Sequence, residues 1–140
     1  MKKLFCLMCV AFVSIGFAKN DIVYMDIKEA MGSPKAKEEL HGDIEFKFGK
    51  GSGSADKIIK SNLTSNKKTN GAGKSDKDSC TQAFLSALIT FQERARKEGG
   101  TKVVNLTGYF KKQPYDSTTQ FQCAIGGVMT AVTLKGDIAK

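Results

Sequence analysis

Ser79-Cys-Thr-Gln-Ala-Phe-Leu-Ser-Ala-Leu-Ile-Thr-Phe-Gln-Glu-Arg-Ala-Arg-Lys-Glu-Gly-Gly100 is the most tightly specified stretch of this chain. Phe84, Ala87, Leu88, Phe91 and Ala95 recur at helical spacing, with Gln82, Ser86, Thr90, Glu93 and Lys97 on the opposite side. Leu85 and Ile89 widen the apolar arc, so the helix is expected to be largely covered. Ser79 followed three residues later by Gln82 reads as a capping box, and Gly99-Gly100 as the left-handed stop. A covered helix of this length needs a sheet or a second helix to lie against.

Strands are expected on both sides of it. Downstream, Lys102 to Phe110 reads as a strand with Val104, Leu106 and Phe110 in phase. Gln113 to Ser117 carries turn chemistry, and a further strand begins at Thr118, so the two are expected to form a hairpin. In that last strand Phe121, Cys123 and Ile125 share one face, whereas Val128, Val132 and Leu134 follow the other parity. The phase changes at Gly126-Gly127, where a β-bulge is expected. Upstream, Asp21 to Ile27 is a β-branched and aromatic run, and Ser33-Pro34 opens a short helix through Leu40 that His41-Gly42 ends. Ile44, Phe46 and Phe48 alternate with Glu45 and Lys47 as one more strand. The expected fold is therefore α+β: a small, mainly antiparallel four-stranded sheet packed by one long helix plus a short N-terminal helix.

Residues 50–77 differ in composition. Half of the 28 are Gly, Ser, Asn or Thr, and seven lysines stand against two aspartates. The segment reads as a long, flexible basic loop with at most one short strand near Lys57 to Leu63, and its lysines Lys57, Lys60, Lys67, Lys68, Lys74 and Lys77 are candidate anion contacts. A second candidate patch combines rings and cations around the expected turn: Tyr109, Phe110, Lys111, Lys112 and Tyr115.

The N-terminus has the layout of a secretory signal. Lys2 and Lys3 precede an uncharged, mostly apolar run from Leu4 to Phe17, and Gly16 and Ala18 are small residues suited to cleavage before Lys19. The run is shorter than the roughly 20 apolar residues that span a bilayer. Residues 1–18 are thus expected to be removed, leaving 19–140 as one periplasmic or secreted α/β domain without a transmembrane segment. Loss of Lys2 and Lys3 lowers the formal charge from +8 to +6.

Cleavage also removes Cys6 and Cys9, leaving Cys80 and Cys123. Cys80 lies one helical turn before Phe84, and Cys123 shares a strand face with Phe121 and Ile125, so both sulfurs point toward the core. In an oxidising compartment they are expected to form a disulfide, the alternative being two buried free thiols. A redox-catalytic pair is disfavoured by the absence of a Cys-x-x-Cys spacing.

Catalytic and cofactor motifs are incomplete. Gly71-Ala-Gly-Lys-Ser75 resembles the end of a phosphate-binding loop, but Lys68 stands where the first glycine belongs, and the flanking residues suggest neither an apolar strand nor a helix launched at the lysine. His41 is the single histidine and stands at an expected helix end, with no carboxylate pairing near it to predict acid–base work. No ligand spacing supports a metal. These observations lead to the expectation of no catalytic residues and no cofactor, an uncharacterised hydrolase being the remaining enzymatic alternative. The lysine-rich loop lacks the aromatic residues that stack bases, so no specific nucleic-acid partner is expected.

Asp78 to Leu88, Glu93 to Gly100, Val103 to Leu106, and Phe121-Gln-Cys123 to Gly136 together resemble a family of small exported bacterial proteins of unassigned function. Some of these carry the label "excinuclease ATPase subunit". That label implies complete nucleotide motifs and zinc-binding cysteines, and since the chain has neither, such an ATPase is rejected. More distantly, the order helix, Gly-Gly, strand and cysteine-bearing strand is similar to the RcsF-like envelope sensors and to heavy-metal-binding domains. The resemblance implies a disulfide-secured α/β domain, and the expected function is non-catalytic: binding an envelope protein or other envelope component, or supporting envelope stress tolerance. The alternative is an electrostatic binder of an anionic polymer or membrane surface through the lysine-rich loop.

Overall fold

The computed structural model describes residues 21–140. The proposed signal, residues 1–18, lies outside the described residues. In chain order the elements are β1 (Asp21–Asp26), α1 (Ile27–Met31), α2 (Pro34–Glu39), β2 (Glu45–Phe48), β3 (Ile58–Asn70), α3 (Asp76–Lys97), β4 (Lys102–Gly108), a 3₁₀ turn (Phe110–Lys112), β5 (Gln120–Ile125) and β6 (Met129–Ala139). The fold is α+β with one long helix, as expected, but the sheet is larger and mixed. Among the described residues it has six strands rather than four, and β2 runs parallel to β4.

β6 organises the sheet. Along one edge it pairs antiparallel with β3 from Ala139 back to Met129. Its other edge is shared: β5 pairs at Thr130 and Ala131, and β4 from Leu134 to Ala139. β1 extends the sheet beyond β5, and β2 beyond β4. This arrangement corrects the expected hairpin between the strands now numbered β4 and β5. Those two occupy successive halves of the same neighbour, joined across their connection only by an isolated bridge between Gly108 and Tyr115. The hairpin is instead β5–β6. Gly126-Gly127 is its turn and not a bulge within one strand, and it is closed by a Gly126 N–H to Met129 carbonyl bond of 2.8 Å.

Residues 50–77 are the largest departure. The expected flexible loop contains a 13-residue strand, β3. Its register with β6 is unbroken from Leu63 to Asn70. Alternation is nearly invisible in its sequence because β3 is an edge strand with much of its surface in water. Its order comes from backbone pairing, to which polar side chains are no obstacle.

Helix α3 covers the inner face of the sheet. Ala83, Phe84, Leu88, Phe91 and Ala95 are buried against Val103, Leu106, Phe121, Val132, Leu134 and Ile138. The Phe84 and Phe121 rings stack at 4.0 Å. The helix begins a turn earlier than expected, at Asp76, with Ser75 as its cap accepting a bond from the Asp78 N–H. Ser79 lies inside the helix, buried, where its hydroxyl accepts from Thr130 of β6. Gly99 ends the helix at φ +73°, as its position predicts. The Cys80–Cys123 disulfide is present, with Cα atoms 5.9 Å apart and both residues fully buried. It ties the first turns of α3 to β5.

The short helix α2 has its expected cap, Ser33, with Pro34 in the first turn. Gln92 holds it to α3: its amide donates to the Glu39 carbonyl (3.0 Å) and accepts from the His41 N–H (3.3 Å). Among the described residues no helix is long and apolar enough to cross a membrane.

Candidate functional site

The outer face of the sheet, opposite α3, carries the candidate site. One bulge builds its centre. Val103 and Leu106 of β4 both join the core under α3, although an unbroken strand would send them to opposite faces. The register of β4 against β6 shifts between Val104 and Thr107, and Asn105 there has φ +55°. This corrects the phase read from sequence, which placed Val104 and Leu106 together. Val104 packs instead beneath Gly53 of the β2–β3 connection, where an added Cβ would come within 2.3 Å of the Val104 side chain. β3 is bulged too, and Asn62 has φ +58°.

Asp137 of β6 lies between the two bulges. One carboxylate oxygen accepts from the Asn62 N–H (2.8 Å) and the other from the Asn105 side-chain amide (2.9 Å). Asn105 in turn accepts from the Gly53 N–H (2.9 Å) and donates its backbone N–H to the Ser52 hydroxyl (2.8 Å). The connection is further anchored by Asp56, whose side chain is only 5% exposed and accepts from Lys102 (2.6 Å) and Lys47 (2.8 Å). The bond from Lys102, and then that from Lys47, hold the Asp56 carboxyl below the ordinary carboxylate range; Asp56 in return raises Lys47. This polar frame fixes 49–57 across the outer face as a rigid wall.

Two depressions open on that face. The first, about 520 Å³, is bordered by Lys50, Asn105, Tyr109, Asp116, Lys135 and Asp137. The second, about 770 Å³, is bordered by Lys68, Phe110, Lys111, Lys112, Met129 and Ala131, and shares Tyr109 with the first. Lys135 sits 4.7 Å from the centre of the Tyr109 ring, and Lys111 5.5 Å from that of Phe110. Lys50, Lys68, Lys111, Lys112 and Lys135 form no ion pair among the described residues. The carboxylates nearby accept from N–H donors, Asp137 from the Asn62 backbone and the Asn105 side-chain amide as above, and Asp116 from Lys50 N–H at 2.8 Å. Lys111 and Lys112 have φ +51° and +61°, so four of the non-glycine residues with left-handed backbone border this face. Such conformations cost of order 1 kcal/mol or more each and persist where surrounding structure enforces them.

The residues singled out from sequence are divided by this geometry. Tyr109, Phe110, Lys111 and Lys112 are brought together with Lys68 around the second depression. Tyr115 lies apart from that group, its ring 4.8 Å from that of Tyr24. Lys67, next along β3 from Lys68, has the inner-face parity of Ser65. Lys57 exchanges backbone bonds with Lys140, and Lys60 pairs opposite Ile138 at the far end of β3. Lys74 donates to Gln82 (2.7 Å), and Lys77 bonds Glu29. The six lysines therefore do not form one anion site. Gly71 to Ser75 does join a strand to a helix, contrary to the flanks read from sequence, but the Ser75 hydroxyl is spent on the cap. His41 is exposed in the turn after α2.

Lys50, Lys135, Asn105 and Asp137 are not among the candidate site residues read from sequence. The one local hint was Val103-Val104 followed by Asn105, two adjacent apolar residues breaking alternation before a residue tolerant of left-handed backbone. No family model, curated protein or solved structure matches this chain.

Proposed function

We propose that the chain is a non-catalytic, periplasmic or secreted binding domain that takes an anionic envelope component across the outer face of its sheet. One observation carries this reading: five lysines without ion-pair partners among the described residues border two depressions that share Tyr109, against two carboxylates, Asp116 and Asp137, that are each held by N–H donors. A surface on which five cations outnumber two carboxylates favours an anionic ligand through charge, with the half-buried Tyr109 and Phe110 rings lying beneath the Lys135 and Lys111 ammonium groups. The secretory layout of residues 1–18 and the resemblance to RcsF-like sensors support the envelope setting. The lysine-rich segment contributes through Lys68 on a rigid strand, not as a mobile tether.

Capture from envelope extract on immobilised protein tests this. Retained material is expected to elute as salt rises from about 0.1 M to about 0.5 M, where the screening length falls to a few ångströms. Lys111→Glu/Lys112→Glu/Lys135→Glu should lower retention at least about tenfold, the scale of roughly 1.4 kcal/mol. Retention that survives both the salt and the triple substitution would overturn the reading.

A further inference from the structure

Among the described residues, four of the five exposed large hydrophobics, Ile22, Tyr24, Val128 and Met129, lie at the β1–β5–β6 end of the sheet; the fifth, Ile58, is at the start of β3. Val128 and Met129 form the tip of the β5–β6 hairpin and are 57% and 45% exposed. Strand register continues the apolar character inward. Ile22 pairs with Ala124, Ala124 with Ala131, and Ala131 with Lys68, giving a row across four strands that ends on a cation. Phe110, Lys111 and Lys112 border the same depression as Val128, Met129 and Ala131.

We infer that this end of the outer face docks on an anionic phospholipid bilayer, the hairpin tip entering the interface while Lys68, Lys111 and Lys112 meet the head-group phosphates. The inference rests on the proposed binding face and names what occupies it. A soluble polyanion would use the lysines alone and leave the neighbouring apolar tip in water. A bilayer surface presents phosphate directly above hydrocarbon, the same juxtaposition in complementary form. Contiguous exposed apolar groups rimmed by charge mark an interaction surface, and the charged residues bordering this depression, Lys68, Lys111 and Lys112, are all cationic, which selects the sign of its partner.

The test uses the purified protein with vesicles of phosphatidylglycerol and phosphatidylcholine, vesicles of phosphatidylcholine alone, and dextran sulfate as a soluble polyanion. The chain contains no tryptophan, so Val128→Trp supplies a single reporter at the hairpin tip. Its emission is expected to shift to the blue with the anionic vesicles and to stay unchanged with dextran sulfate. Co-sedimentation with anionic vesicles should fall at least about tenfold for Val128→Ser/Met129→Ser and for Lys111→Glu/Lys112→Glu, but not for Ile58→Ser. The serine pair, which adds no charge, should leave dextran sulfate binding intact. Binding of dextran sulfate without binding of anionic vesicles would overturn membrane docking and leave the proposed face standing. Equal sedimentation of the serine pair and the unsubstituted protein would also overturn it. Failure to bind either anionic partner would remove both readings.

Discussion

Asp56 shows how one carboxylate can hold a whole segment in place. It is nearly buried between Lys47 at the end of β2 and Lys102 at the start of β4, and both ammonium groups bond to it. Removing one partner from such a set leaves the remaining charges poorly compensated. Asp56→Asn is therefore expected to destabilise the fold and to loosen the 49–57 connection. A carboxyl whose pKa is lower in the folded chain contributes stability above its unfolded pKa, and the contribution is lost as pH falls through the folded value. Thermal unfolding followed from about pH 7 to about pH 2 should thus show the largest gap between Asp56→Asn and the unsubstituted protein near neutrality, closing in acid. A gap that stays constant would show that the carboxylate charge is not what the connection depends on. Asn62, Asn105, Lys111 and Lys112 are the residues whose conformation the sequence conceals most. Asparagine tolerates a left-handed backbone but does not demand it, and lysine gives no local signal at all.

At the level of elements, the helix could be read and the edge strand could not. α3 buries nearly every residue of its apolar arc, so its period is written in the sequence, as is its stop at Gly99. Its start was misplaced by a turn because Ser75 and Ser79 each suit a cap. The one that won leaves its hydroxyl free for Asp78 N–H, while the other is drawn into the core by Thr130. β3 is specified by its pairing with β6, a partner some 70 residues away, and such non-local pairing leaves no periodic trace. The disulfide joins these levels, because it fixes the first turns of α3 onto β5. For the 44-residue loop that it closes, chain entropy gives about 4 kcal/mol. Against a total stability of roughly 5–15 kcal/mol, Cys80→Ala/Cys123→Ala should bring a large drop in the denaturant midpoint. An unchanged midpoint would mean that the packing of Phe84 on Phe121 holds the helix to the sheet without the covalent tie. A single Ser75→Ala should cost about 1 kcal/mol in the same measurement, as expected for loss of a helix cap.

For the molecule as a whole, the sheet divides the work. Its inner face is closed by α3 and holds the core, and its outer face stays open and gathers the rings and unpaired cations. The ring-and-lysine cluster at 109–112 was visible in sequence because it is contiguous. Its connection to Lys68, Lys135 and Lys50 was not, since those residues come from three separate segments that meet only once β6 has taken β3 on one edge and β4 and β5 on the other. Backbone amide signals recorded before and after adding fractionated envelope material test most directly whether the outer face is the binding surface. Perturbations are expected at Lys68, Tyr109 to Lys112, Ala131 and Lys135, with the exposed side of α3 at Glu93 and Lys97 unchanged. Perturbations confined to α3 and absent from those outer-face residues would contradict it.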